Sequence, residues 1–361
     1  MKIYNSEKMQ QDALYPTTLD IQRILKIRDP NFTYKHQYDL DRREAGARGE
    51  QIVYEFLLEY GQEHWVVIRN YWMNYSGEQE YDLILITGHA CYIFEVKNYK
   101  HLFILEDGVC KLNGQFMDKH IITQTIRCSK NLMQIFKRSS LDVKVRGTLV
   151  FIGEHSRIQI KDKVNDIDIV QKNELRDYIQ RIAREEKSSL KASTEPEQII
   201  QALSPYEMNT PHPAEPISVV QSHSLIRGIS CAICHNFNIH LKKNWVECSC
   251  GTKESKEEAV IRIVCEYGLL HFTNSLKAHD LRHFMANQIS ENYLRKVLSR
   301  HFKKIENYSY TYYTNMRLPY YKIKSKFIGV PSIQITLTPS NINLLQNSYH
   351  LQSMKRQLVP F

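Results

Sequence analysis

No run in this chain approaches the ~20 consecutive apolar residues that a helix needs to cross a bilayer, so no membrane span is expected. The opening Met1-Lys2-Ile3-Tyr4-Asn5-Ser6-Glu7-Lys8 lacks the apolar core of a secretory leader, and a soluble, cytoplasmic protein is the expectation. No Gly-rich phosphate loop, HExxH helix, Ser- or Cys-centred triad pattern or internal repeat is present. That removes the common nucleotide-binding, zinc-protease and acyl-transfer readings. His279 and His283 are four apart, with His271 upstream, but without that zinc motif they read as core or surface histidines. Cysteine is thinly spread outside one place. Cys91, Cys110, Cys128 and Cys265 stand singly in apolar or mixed segments, as buried free thiols do. The other four crowd between Cys231 and Cys250, the pattern of a metal site in a reducing compartment rather than a disulfide framework.

What is present is the composition of an ordinary globular protein: 361 residues, 24% charged and 11% aromatic. That length allows two or three domains. The formal net charge of +9 is unevenly placed. Residues 226–361 hold 19 Lys plus Arg against 8 Asp plus Glu, a net of +11, and the preceding residues carry −2. A polyanionic partner would therefore be gripped by the C-terminal part.

Apolar spacing predicts a helix over about Ala45–Tyr60, stopped by Gly61, then strands at Trp65–Ile68, Tyr81–Thr87, Cys91–Val96 and Leu102–Leu105. A second helix follows at about Lys119–Phe136, then a buried strand within Gly147–Gly153. This order implies an α/β fold with a central sheet. A charged helix (about Asn173–Glu186) leads into a Ser-, Glu- and Pro-rich stretch, 187–217, that reads as a linker with one short helix near Glu197–Leu203.

Three acidic positions and one lysine stand out. Glu50 lies in Gly46-Ala47-Arg48-Gly49-Glu50 on the first helix, Asp82 heads an apolar strand, and Glu95 and Lys97 close the next one. Residues two apart on a strand share a face, so Glu95 and Lys97 project together, and a neighbouring strand ~4.8 Å away could bring Asp82 to them. Carboxylates and a lysine amid apolar strands are costly to bury without a counter-charge or metal. Hard oxygen donors with open positions suit Mg²⁺ beside a phosphate, where a lysine can orient or deprotonate the attacking water. The plain alternative is a solvated Glu–Lys pair at a strand end.

Gly46-x-x-Gly49-Glu50, Glu80-Tyr81-Asp82-Leu-Ile-Leu-Ile and Phe94-Glu95-Val96-Lys97-Asn98-Tyr99, with Gln124 and Leu132 eight residues apart on the second helix, resemble the nuclease-related domain (NERD). That domain is a branch of the PD-(D/E)xK nuclease superfamily, and the resemblance covers about residues 42–155. It implies a restriction-endonuclease-like sheet flanked by helices, Asp82 and Glu95 as ligands of Mg²⁺ (or Mn²⁺), and Lys97 as the catalytic lysine. It further implies Glu50 as an auxiliary acid and Gln124 as a pocket residue. The function so implied is hydrolysis of DNA phosphodiesters. A nuclease-like domain that binds DNA without cutting is the alternative, and cutting both strands with one site would favour a homodimer.

Cys231-Ala-Ile-Cys234 and Cys248-Ser-Cys250-Gly251 bracket a hairpin-length spacer, which suits a four-thiolate structural zinc site in a ribbon. His235 and His240 are substitutes if one thiol does not ligate. A ribbon this small would depend on its metal for folding. Helical spacing over Lys256–Phe272 is followed by a short helix, a turn at Ile289 and a helix capped by Ser290 that bears Arg295, Lys296 and Arg300. These fit a helix-turn-helix with nucleic-acid contacts. The Tyr308–Tyr321 run with Arg317, and then Lys322, Lys324 and Lys326, would add a wing or stacking surface. The bland alternative is a helical bundle with a solvated basic face. The expected organisation is an N-terminal helical extension (1–41), the nuclease-like domain (42–155), a helix and linker (156–225), a zinc ribbon (226–255) and a basic helical, Tyr-rich region (256–361).

Overall fold

The computed structural model describes residues 1–315, apart from Leu14, 118–120, His155, 190–192, His212, Thr273, Ser275 and 308–309. The chain starts with β1 (Lys2–Ile3), α1 (Glu7–Asp12), α2 (Thr18–Arg28) and α3 (Tyr34–Tyr60). Two compact units emerge, and both are discontinuous in sequence. Unit 1 takes residues 1–13 and 41–212, and unit 2 takes 14–40 and 213–361. Composition suggested other boundaries, and the packing of each unit explains why. Among the described residues no helix is long and apolar enough to cross a membrane.

Unit 1 continues with β2 (Val66–Asn74), β3 (Glu78–Ile86), β4 (Ala90–Lys97), β5 (Leu102–Glu106), β6 (Val109–Leu112), β7 (Gln115–Phe116), α4 (Ile121–Arg138), β8 (Lys144–Phe151), β9 (Arg157–Ile160), β10 (Ile167–Gln171), α5 (Leu175–Lys187) and α6 (Pro196–Leu203). Its main sheet is mixed, in the order β1-β2-β3-β4-β8-β10, with β2–β3–β4 an antiparallel meander and β8 and β10 added in parallel. One face packs Val67, Leu83 and Phe94 against Val53 and Leu57 of α3 and Ile179 and Ile182 of α5. The other packs Ile68, Ile84 and Ile93 against Cys128, Leu132 and Ile135 of α4. The i, i+4, i+7 spacing of those three α4 residues gives it one apolar stripe. A smaller sheet, β7-β6-β5-β9, lies beyond β4 in sequence and closes a separate core around Phe103, Leu105 and Phe151.

Most of the stretch read as a linker, up to residue 212, belongs to this unit, and 213–217 belong to unit 2. Ile199 and Leu203 of α6 are buried in the same core as α4, and two buried large aliphatics contribute roughly 1.5–3 kcal/mol each. Short polar residues around a brief apolar helix look like a linker when the two buried positions are too few to show periodicity. Trp65 and α5 are also joined: Glu186 accepts from Trp65 Nε1 and from the Gly88 N–H, both at 2.7 Å.

Unit 2 adds α7 (Val219–Ser224), β11 (Ile239–Leu241), β12 (Trp245–Cys248), β13 (Lys253–Ser255), α8 (Lys256–Leu270), α9 (Ala278–Phe284), α10 (Glu291–His301), β14 (Phe302–Asn307) and β15 (Tyr310–Asn315). From Ala259 to Leu270 every residue of α8 is buried, so α8 is the core of the unit rather than an amphipathic cover. The antiparallel β11-β12-β13 sheet runs straight into it, and Val246 of β12 shares its cluster. Ribbon and helices therefore form one packed body, not two modules parted at residue 255. The helix α2, capped by a reciprocal Thr17–Asp20 box, lays Ile21 and Ile24 on that core. Met285, Ala286, Asn287 and Ile289 form the turn between α9 and α10, with Ala286 and Asn287 in left-handed conformation (φ 50° and 56°), and Ser290 caps α10 as its sequence suggests. Of the tyrosine run, Tyr313 is buried and its N–H bonds Leu276 O at 2.9 Å, so it is core and not a stacking surface. Tyr308, Arg317, Tyr320, Tyr321, Lys322, Lys324 and Lys326 lie outside the described residues.

The N-terminal segment is not an extension, because α2 ends on a buried charge. Arg28, 0% exposed, bonds Glu266 at 2.6–2.7 Å and donates to the carbonyls of Ile226 and Gly228. Arg262 bonds Glu266 at 3.1 Å and Glu254 at 2.8 Å, giving two arginines and two glutamates sealed together. Removing one member leaves an uncompensated buried charge, a loss of about 3–5 kcal/mol. Arg28→Met should lower the urea stability of the chain by that order. Arg28→Met with Glu266→Leu, which leaves the neutral Arg262–Glu254 pair, should recover a large part of it.

Candidate active site and metal centre

The acidic constellation sits on a break in the pleat of unit 1. The β2–β3 ladder pairs Val66↔Ile86 through Arg69↔Leu83 and resumes at Tyr71↔Tyr81, with Asn70 left-handed between them (φ 50°). Ile68 and Tyr71 both face the α4 core, as do Ile84 and Tyr81, although each pair is an odd number of residues apart. Strict alternation would put them on opposite faces, so both strands change face at this point. Asp82 stands at the change. Its Oδ2 accepts the Val96 N–H at 2.8 Å, just past the Leu83↔Phe94 backbone pair.

Glu95 and Lys97 project together from β4, as their spacing predicts. Glu95 is 2% exposed, and its Oε1 accepts from Lys97 Nζ at 2.5 Å and from Gln124 Nε2 at 3.1 Å. Gln124 comes from the start of α4. Glu50 arrives on α3, which comes close to the end of β4 because Gly49 carries no side chain there. A Cβ at Gly49 would lie 3.2 Å from Asn98 Cβ and 3.3 Å from Val96 Cγ1. Asn98 Nδ2 fastens this approach by donating to Ala45 O at 2.7 Å.

Burial, and after it the mutual repulsion of the carboxylates, sets the electrostatics. Burial, then Glu95 and Glu50, push the Asp82 carboxyl well above the usual range, against the pull of Lys97 and the Val96 N–H. Burial first and Glu80 second raise Glu50 to about 7, while Arg69 and Lys97 oppose the shift. For Lys97, burial alone would lower the ammonium, but Glu95 and Asp82 outweigh it and the group is raised. Two residues here had no role assigned from the sequence. Glu80 retains exposed surface yet is raised by partial desolvation and then by Glu95. Arg69 stacks its guanidinium on the Tyr54 ring, 4.2 Å from the centroid, and its charge opposes the rise of Glu50. An arginine inside the apolar run Trp65–Tyr71 was the available signal for it.

In unit 2 the four cysteines converge, and they could hold zinc. Their Sγ atoms all lie within 4.8 Å of one another, and this is the one group of three or more His, Cys, Asp or Glu that does so among the described residues. Cys231–Cys250 and Cys234–Cys248 are 3.7 and 3.5 Å apart. A tetrahedron with Zn–S near 2.3 Å has edges of about 3.8 Å, so the donor set fits that ion. The Ile233 N–H donates to Cys231 Sγ at 3.4 Å, and Gly251 makes the tight exit at φ 87°. The Thr252 hydroxyl and N–H draw the Cys250 thiol down to about 6, favouring the ligating thiolate. His235 and His240 stay outside the group.

The three basic residues expected to touch nucleic acid are on α10. Arg295 is paired with Glu291 at 2.6 Å and Arg300 with Glu257 at 3.1 Å, both at exposed positions where water screens the pair. Lys296 is exposed and has no ion-pair partner among the described residues.

Residues 45–152 match the family model for the nuclease-related domain. No curated protein and no solved structure matches the chain.

Two measurements check these geometries. Metal analysis of the purified chain should find one zinc, lost in Cys231→Ser with Cys248→Ser together with unfolding of the ribbon. Glu50, raised from about 4.5 when unfolded to about 7 when folded, stabilises the fold relative to a permanently charged group below the lower value. That advantage fades as pH rises through the upper one. Without added divalent ions, the chain should lose on the order of 2 kcal/mol between pH 5 and 8 in urea unfolding, and Glu50→Gln should flatten the profile.

Proposed function

We propose that the nuclease-related domain carried over residues 45–152 hydrolyses DNA phosphodiesters with a divalent metal. The observation behind this reading is that Glu50, Asp82, Glu95, Lys97 and Gln124, from four separate elements, meet at one break in the sheet. Asp82 and Glu95 would hold Mg²⁺ or Mn²⁺, and their donor chemistry fits. They are hard oxygens, and Asp82 resists ionisation through burial and then the nearby Glu95 and Glu50, both of which a bound cation would offset. When bound, such an ion polarises a phosphoryl oxygen and makes its water a better nucleophile.

The chain's own side chains do the rest. Lys97, kept protonated by Glu95 and Asp82, presents a positive charge to the scissile phosphate. Gln124 fixes the Glu95 carboxylate by its hydrogen bond to Oε1. Glu50, titrating near neutrality, can accept or return a proton at working pH. The zinc ribbon and the basic residues Arg295, Lys296 and Arg300 would hold the nucleic acid, and two copies of the chain would be needed to cut both strands in one encounter.

One observation favours a second reading, DNA binding without cleavage. Lys97 and Gln124 already occupy Glu95 Oε1, and no three of the carboxylates come within 4.8 Å of one another. A supercoiled plasmid with Mg²⁺ separates the two. Under the nuclease reading, Glu95→Ala and Lys97→Ala each cut nicking by about 100-fold or more, the size of loss seen when a charge-stabilising group is removed. Equal nicking by all three proteins would overturn it, and no nicking with retained binding would establish the second reading.

A further inference from the structure

We propose that the outer face of the β11–β12–β13 sheet is a stacking platform for an unpaired DNA strand, with Trp245 as the base-stacking residue and Lys242 and Lys243 as its phosphate contacts. Only the identity of the polymer as DNA rests on the reading above.

The central strand β12 alternates cleanly. Val246 and Cys248, each 4% exposed, turn inward, while Trp245 is 47% exposed. In the sheet the half-exposed indole stands between two cross-strand neighbours. On one side Lys242 donates its N–H to Trp245 O at 2.9 Å, and on the other Ser255 is the register partner. By contrast Trp65 is 0% exposed. An aromatic with an accessible face on a sheet surface is what base stacking uses, at roughly 1–3 kcal/mol per base.

The charges around it select the partner. Lys253 is tied to Glu247 at 3.3 Å, which neutralises the one acidic side chain on this face. Lys256 sits over the Tyr293 ring at 4.9 Å. Lys242 and Lys243 are both exposed in the turn next to Trp245, and neither has an ion-pair or ring partner among the described residues. A patch that is aromatic at its centre and uncompensated positive at its rim matches bases joined by phosphates. Paired bases have both faces covered by their neighbours in the stack, so the indole favours an unpaired strand. An apolar protein surface would have to desolvate both lysines.

The test is equilibrium binding by the full-length chain, without divalent ions, to labelled oligo-dT of about 20 nucleotides and to a duplex of equal length. Trp245→Ala should weaken oligo-dT binding about 10- to 100-fold while duplex affinity stays within about twofold. Trp245→Phe, which keeps a ring, should retain most of the affinity. Lys242→Gln with Lys243→Gln should lower the slope of log affinity against log salt by about 1.4, or 0.7 per phosphate contact. Zinc content verifies that each variant keeps the ribbon. Oligo-dT binding by Trp245→Ala equal to wild type, or wild-type chain that does not bind oligo-dT, would overturn the proposal. Both arms read binding alone, so failure of the nuclease reading, seen as nicking insensitive to Glu95→Ala, is a separate result.

Discussion

The sealed quartet of Arg28, Glu254, Arg262 and Glu266 is the constraint on which unit 2 depends. Each charge is matched, and the surplus guanidinium protons reach the carbonyls of Ile226, Gly228 and Ser230. Buried pairs of this kind are weak evidence for net stability, since apolar residues of equal volume often do as well. What they impose is geometry. One point fixes the end of α2, the last ribbon strand β13 and the middle of α8. The Phe284 ring, 4.3 Å from the Arg28 guanidinium, brings α9 to the same place.

Unit 1 solves an opposite problem. There the charges are not balanced: Glu50, Glu80, Asp82 and Glu95 crowd together with only Lys97 and Arg69 prominent against them. A sheet with unbroken alternation could not present Asp82 beside Val96 and still bury both Ile68 and Tyr71 on one face. The left-handed Asn70 resolves this by letting the strands change face, so local backbone irregularity and local electrostatic strain coincide. That coincidence is typical of sites at which a fold gives up stability for chemistry.

Much of this was legible beforehand, for physical reasons that differ between elements. The strands around Asp82 and Glu95 are long apolar runs, α4 shows its stripe, and the spacing of the cysteines dictates their convergence. Glu95 and Lys97 could be paired from the period of a strand alone. Other features carried no local signal. The role of Arg28 depends on residues 198 to 238 positions away, and a single arginine ending an amphipathic helix reads as a favourable cation at a C-terminus. The face change at Asn70 is invisible because it needs one backbone angle, not a pattern. α6 hid inside polar composition, and the near-complete burial of α8 overrode a spacing that suggested one covered face.

The discontinuity of both units has a consequence for synthesis. The chain passes between them three times, after residues 13, 40 and 212. Arg28 and Glu266 are 238 residues apart, and at about 5–20 residues per second a ribosome takes roughly 12–48 s to supply the second after the first. For most of that interval α2 has emerged with its apolar stripe and its cation, while the carbonyls of Ile226 and Gly228 and the core helix α8 are still to be made. Residues 41–212 of unit 1 are translated meanwhile. The first helix of unit 2 is thus a waiting segment, and the order in which this protein is made is the reverse of the order in which that unit can close.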